Sequence, residues 1–264
     1  MQQLTVVKIG GNVIDDEKSL SDFLIQFNLL EGHKILVHGG GKLANQLQDK
    51  LNVAVNMIDG RRITDAETLK IVTMVYAGYI NKNIVAQLQG LNCNAIGLSG
   101  ADANCIQASK RKVETIDYGF VGDVEKVNTS FIISCLENYI APVFSAITQD
   151  GAGQLLNTNA DTIASELAIA LSANYNVQLV YCFEKNGVLQ NVDDESSVIK
   201  SISNSDYSNL KERSVINKGM IPKMDNAFLA LKKGVGCVQI GKAEKLLQLI
   251  KKDNYEGTRL YHCK

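Results

Sequence analysis

The sequence predicts an α/β fold: a three-layer α/β/α sandwich around a mostly parallel central sheet, with β-hairpins over a substrate site. Three observations carry this expectation. Short apolar, β-branched runs near residues 4–9, 34–38, 94–98, 141–145, 177–182, 235–240 and 258–262 alternate with helix-like stretches from end to end. The first two of these strands each run straight into glycine, the pattern of a strand-to-helix turn at the ligand-binding end of a parallel sheet. One segment breaks the rhythm: Asn104–Lys112 and Tyr118–Val127 read as two strands joined by a polar turn, and Gln154–Asn157 as a further short strand.

The first strand delivers Lys8 into Gly10-Gly11, and the second, Ile35–Val37, feeds His38-Gly39-Gly40-Gly41. Turns without Cβ atoms let backbone N–H groups approach an anion, and the N-terminus of the next helix adds a favourable partial charge. Two such cradles suit a nucleotide and an acidic acceptor. Helical periodicity follows near 17–31, 42–51, 65–89, 129–138, 159–173, 206–213, 220–233 and 243–252, and the polar stretch Asn191–Ser208 is the loosest part of the chain. No linker, low-complexity tract or internal repeat separates two beads, so two lobes sharing one sheet are expected, 1–173 and 174–264.

Composition narrows the function classes. Twenty-seven basic and 28 acidic residues give a formal net charge of −1, so no global field draws the chain to nucleic acid or to an acidic membrane surface. The apolar stretches are shorter than the ~18 residues of a membrane span, and the first residues enter a strand pattern directly, unlike a signal peptide, which predicts a cytoplasmic protein. The six cysteines form no CxxC pair, and of them Cys263 alone has a histidine, His262, beside it; they read as reduced, mostly buried thiols rather than as a metal cage or a nucleophile.

Lys8, at a strand end before a glycine turn, has the chemistry to neutralise a transferring phosphoryl group, and equally that of a surface lysine. Gly39-x-Gly41-x-x-Ala44 with Asp59 downstream formally satisfies a dinucleotide fingerprint, which keeps an NAD-dependent oxidoreductase as the rival function. No P-loop aligns to it. Arg61 and Arg62 place guanidinium forks on a turn entering a long helix, where one fork can clamp a carboxylate or simply be solvated. In Asn157-Thr158-Asn159-Ala160-Asp161, helix capping explains one of the three polar residues and leaves the others for an acceptor or for orienting lysines. Lys218-Gly219-Met220-Ile221-Pro222-Lys223 puts a lysine on the first turn of a helix, an unfavourable place for a cation unless an anion is nearby.

Taken in order, Lys8-Ile9-Gly10-Gly11, His38-Gly39-Gly40-Gly41, Gly60-Arg61-Arg62-Ile63-Thr64, Gly97-Leu98-Ser99-Gly100, Gly119-Phe120-Val121-Gly122-Asp123-Val124, Asn157-x-Asn159-Ala160-Asp161, Gly219-Met220-x-Pro222-Lys223 and Gly257-Thr258-Arg259 span the whole chain. In these segments the chain resembles the amino acid kinase family, in particular those members that phosphorylate N-acylated glutamate. The resemblance implies ATP-dependent phosphorylation of the side-chain carboxylate of N-acetyl-L-glutamate, with N-succinyl-L-glutamate as the alternative acceptor and Mg²⁺ carried largely by the nucleotide phosphates rather than by a protein metal site.

By position, the resemblance makes Lys8 and Lys223 the groups flanking the migrating phosphoryl and Asp161 the residue that orients both. It gives phosphate and acceptor oxygens to the backbones of Gly10, Gly11, Gly40 and Gly41, and the acceptor to Arg62, Asn157 and Asn159. Glu184, Lys185, Gly187 and Met220 fall to the nucleotide. Glu184 stands where relatives carry aspartate, one methylene shorter. The division at 173 becomes an acyl-glutamate-binding, dimerising lobe and a nucleotide lobe. Lys8 within the first strand leaves no room for the extra N-terminal helix of the family's arginine-inhibited hexamers, so the resemblance implies a homodimer without arginine feedback.

Overall fold

A computed structural model describes residues 1–58, 60–213, 215–216 and 220–262. Asp59, Lys218, Gly219 and Cys263, all weighed above, lie outside the described residues. The chain opens with β1 (Gln3–Ile9), a short helix α1 (Gly11–Asp15), α2 (Glu17–Asn28), β2 (His33–His38), α3 (Gly41–Lys50) and the small strands β3 (Met57–Ile58) and β4 (Arg61–Arg62). A long helical segment follows as α4 (Ala66–Thr73), a π-helical stretch (Met74–Ile80) and α5 (Asn81–Gly90). Then come β5 (Ala95–Leu98), β6 (Ile106–Lys110), β7 (Gly122–Val127), α6 (Thr129–Glu137), β8 (Ala141–Ser145), β9 (Ile147–Gln149), β10 (Leu155–Asn157) and α7 (Ala160–Leu171). The remainder is β11 (Asn176–Phe183), β12 (Ser201–Ser203), α8 (Asn204–Glu212), α9 (Ile221–Lys232), β13 (Cys237–Lys242), α10 (Leu246–Leu249) and β14 (Thr258–Tyr261).

These elements form two compact units, one of Met1–Lys34 with Ala164–Lys264 and one of Ile35–Ile163. In the first, strands run in the order β12-β14-β13-β11-β1, parallel except where β13 meets β14. Leu4, Val6, Val7 and Ile9 of β1 are all buried, as are Leu179, Val180, Tyr181 and Cys182 of β11. Consecutive buried residues mean that both faces of each strand are covered, the signature of a parallel sheet between helix layers. In the second unit β2, β8 and β5 pair in parallel, and a separate four-stranded sheet, β10-β9-β6-β7, carries the antiparallel hairpin expected from the sequence.

Local signals explain the helix starts. Asp16 accepts from the Ser19 N–H at 2.7 Å ahead of α2, and Asp65 from the Thr68 N–H at 2.7 Å ahead of α4. Ser203 and Asp206 form a reciprocal capping box at α8. No helix of the described residues is long and apolar enough to cross a membrane. Of the described cysteines, Cys93, Cys105, Cys135 and Cys182 are buried and Cys237 is half-buried.

Candidate functional site

In the first unit, β1 and β11 lie in parallel register with Lys8 opposite Tyr181. Residues paired in this way share a face of the sheet, so both side chains stand on the same side. Lys223 reaches this place from α9, a helix whose second residue is Pro222; its Nζ stands 5.1 Å over the Tyr181 ring. Two lysines, 215 positions apart in the sequence, are thus brought to Tyr181, one by strand register and one by its ammonium over the ring, and both are half-buried. Burial pushes the neighbouring Cys182 thiol up to about 12, and the positive charges of Lys8 and Lys223 both work against that rise, which places both lysines in the field of one residue. The Gly10 N–H donates to the Cys182 carbonyl at 3.2 Å, tying the glycine turn to the end of β11 and engaging that amide within the protein. Gly11 opens α1 directly behind it.

Beyond β11, Glu184 is exposed, Lys185 pairs with Glu195, and the buried Gly187 precedes Val188, whose N–H donates to Thr258 Oγ1 at 2.9 Å. Thr258 in turn donates to the Ile199 carbonyl at 2.7 Å, so the turn after β11 is pinned to β14. Met220 is the N-cap residue of α9.

The second unit gathers the acceptor candidates. Gly40, at φ +150°, is the N-cap of α3, and a Cβ there would overlap Ile80 and touch Tyr76. The open side of this glycine is thus filled by the π-helical stretch, not left for a dinucleotide. Arg62 is only 8% exposed, against the solvated alternative for paired arginines on a turn; Arg61 is the exposed one. The Arg62 guanidinium donates to the Gly41 carbonyl at 3.0 Å and to the side-chain oxygens of Asn45 and Gln48, with the Tyr76 hydroxyl beside it. Asn157 donates to Thr64 Oγ1 at 3.0 Å, and Thr64 donates to the Arg62 carbonyl at 3.1 Å, so Arg62, Thr64 and Asn157 form one connected group. Phe120 is stitched into it, donating to the Thr64 carbonyl at 2.7 Å and accepting from the Asn157 N–H at 2.9 Å. Gly119, at φ +70°, makes that approach possible, because a Cβ would strike the Thr64 carbonyl.

Asn159 is the capping member of its motif: its Oδ1 accepts from the Asp161 N–H at 2.7 Å and the Thr162 N–H at 3.3 Å. Asp161 sits on the first turn of α7. His38 is completely buried, its Nδ1 bonded to the Gly39 carbonyl at 2.9 Å and its Nε2 accepting from Asn81 Nδ2 at 3.0 Å. Burial pulls its pKa down to about 4, so the ring is neutral and structural.

A model of the amino acid kinase family matches residues 3–242. The chain belongs to the amino acid kinase family. A relative from Cytophaga hutchinsonii called acetylglutamate kinase is 56% identical, covering 98% of this chain and 99% of that one. Another of the same name, from Carboxydothermus hydrogenoformans, is 35% identical over 97% of this chain and 90% of its own length. A crystal structure of a Streptococcus mutans protein superposes with a TM-score of 0.81 at 29% identity, covering 98% of both chains. A Giardia carbamate kinase, at 13% identity and a TM-score of 0.72, shares the fold.

Family membership makes the chain a phosphotransferase and retires the oxidoreductase reading of Gly39-x-Gly41-x-x-Ala44, in keeping with the filled space at Gly40. Within this amino acid kinase, the sequence motifs did not disclose Tyr181, in register with Lys8 and under the Lys223 ammonium, or Asn45, Gln48 and Tyr76 around Arg62. Tyr181 carried one usable signal, its place at the end of a buried strand. Asn45 and Gln48 carried another, their i, i+3 spacing on the helix that follows the glycines.

Proposed function

We propose that this kinase transfers the γ-phosphoryl group of ATP to the side-chain carboxylate of N-acetyl-L-glutamate, forming N-acetylglutamyl 5-phosphate in arginine biosynthesis. The observation that supports this reading is that Lys8, in register with Tyr181, and Lys223, over the Tyr181 ring, come from two distant segments and both act on the charge of Cys182. Charge repulsion dominates the barrier when one anion attacks another, and clustered cations lower it by neutralising oxygens of the migrating group. No general base is required, because the nucleophile is already a carboxylate. A lysine on the first turn of α9 opposes the helix dipole, a cost that a bound phosphate offsets.

In this reading Asp161 orients both lysines, while the backbones of Gly10, Gly11, Gly40 and Gly41 meet phosphate and acceptor oxygens. Arg62 and Asn157 hold the α-carboxylate, with Asn159 beside them, and Glu184, Lys185, Gly187 and Met220 contact the nucleotide. Residues 1–173 then bind acceptor and form a homodimer, and 174–264 bind nucleotide, in a cytoplasmic enzyme. Mg²⁺ enters on the phosphate oxygens of ATP, carried by the nucleotide rather than by a protein metal site.

Steady-state phosphorylation of N-acetylglutamate and N-succinylglutamate side by side tests the assignment. A kcat/KM for the acetyl compound well above that for the succinyl compound is expected. The reverse order would reassign the acceptor, and inactivity with both would overturn the reading.

A further inference from the structure

Arg62 is buried, yet the acceptors around it among the described residues are uncharged: the Gly41 carbonyl, the Asn45 and Gln48 amide oxygens and the Tyr76 hydroxyl. Among the described residues no carboxylate pairs with it. A buried guanidinium ordinarily draws a carboxylate, because leaving the charge uncompensated is expensive. Here neutral oxygens fix the fork through both Nη2 hydrogens and one Nη1 hydrogen, and none of them cancels its charge.

The supports are themselves held. Gln48 is fully buried and anchored through its own amide, Nε2 donating to the Ala54 carbonyl at 3.1 Å and to Thr68 Oγ1 at 3.3 Å. That orientation turns Oε1 toward Arg62. Asn45, three residues earlier on α3, is half-buried and presents its oxygen on the same face.

We propose that Asn45 and Gln48 are positioning residues for acceptor binding: they lock Arg62 through neutral oxygens so that its geometry is fixed while its charge stays available to the acceptor's α-carboxylate. The inference rests on the acyl-glutamate reading above. It distinguishes two things a partner can do to an arginine, hold it and neutralise it, and assigns these residues the first alone.

Two substitutions separate those effects. Asn45→Asp keeps an oxygen at the same place and adds a negative charge at a half-exposed position, so the clamp survives and the charge is cancelled. Gln48→Met keeps the volume and deletes the oxygen. Both variants should raise the KM for N-acetylglutamate by about tenfold or more, the scale of a hydrogen bond to a charged group, with KM for MgATP within about twofold of wild type. Asn45→Asp should do so while its melting temperature equals or exceeds that of wild type, a combination that a purely structural role does not give. Asn45→Gln, neutral and able to reach, should retain most of the acceptor affinity. Calorimetric titration with N-acetylglutamate in the absence of ATP should show the same ranking. An Asn45→Asp enzyme with unchanged acceptor KM and affinity would overturn the inference, whatever Gln48→Met does. A wild-type enzyme that neither binds nor phosphorylates N-acetylglutamate would instead overturn the underlying reading.

Discussion

The lysine pair of the first unit and the arginine cradle of the second handle positive charge in opposite ways. Lys8 and Lys223 are half-buried and are brought to Tyr181 by a strand's register and by a helix start. Arg62 is rigid, buried and held at several points by amide and carbonyl oxygens. A group that must follow charge as it moves between two oxygens gains from a mobile point charge, whereas a group that must hold a spectator carboxylate in register gains from a fixed fork. The difference teaches that burial, rather than charge alone, distinguishes the proposed transfer lysines from the proposed acceptor clamp.

That contrast is tested most severely at the lysines. Lys8→Ala and Lys223→Ala should each cut kcat by about 10²- to 10³-fold, the usual effect of removing a transition-state charge contact, with acceptor KM little changed. Near-normal turnover in either variant would remove it from the transfer step.

Next in size is a pH effect confined to the second unit. His38 is neutral in the fold with a pKa near 4 against 6.5 for an ordinary histidine. Below pH 6.5 the unfolded chain binds a proton that the folded chain refuses, so stability falls as pH drops from about 6.5 to about 4, by up to about 3 kcal/mol. The carboxylates held low by hydrogen bonds, such as Asp65 with Thr68, act below pH 3.8 and occupy a separate window. Urea unfolding across this range should show the slope in wild type and lose it in His38→Gln; an equal slope in both would discount the buried imidazole.

Arg62→Lys sharpens the comparison directly. A lysine keeps the charge and loses the fork, and acceptor KM should rise about 10- to 100-fold while kcat changes far less. A lysine that served equally well would erase the distinction between the two regions. The smallest effect belongs to Asn159→Ala, which removes the cap of α7 and should cost about 1 kcal/mol in unfolding experiments. An unchanged midpoint would mean that the cap hydrogen bonds add nothing to stability.

How far the sequence could be read follows the same division. The lysines were legible because strand ends and helix starts are local features: Lys8 precedes a glycine turn and Lys223 follows a proline. The parallel architecture was legible from runs such as Ile35–Val37, whose continuous apolar character suits a strand covered on both faces. The burial of Arg62 was not, since it depends on Gln48, fourteen positions earlier, and on Tyr76, fourteen later. The π-helical stretch was hidden inside a pattern that reads as ordinary helix, although it sets Tyr76 and Ile80 against Gly40. β12 lay in the polar stretch Asn191–Ser208 because it offers a single apolar residue, Ile202, and ends on Ser203, which also caps α8. The helix expected over 243–252 breaks into a 3₁₀ turn and the four-residue α10, neither start having a side-chain cap.

One measurement bears on the central claim directly: a double-mutant cycle for kcat with Lys8→Ala, Lys223→Ala and the two combined. If both ammonium groups serve the same phosphoryl group, the combined loss falls well short of the product of the two single losses, giving a coupling energy above about 1 kcal/mol. Losses that simply multiply would mean that the two lysines act at independent places, and the convergence on Tyr181 would have no part in the reaction.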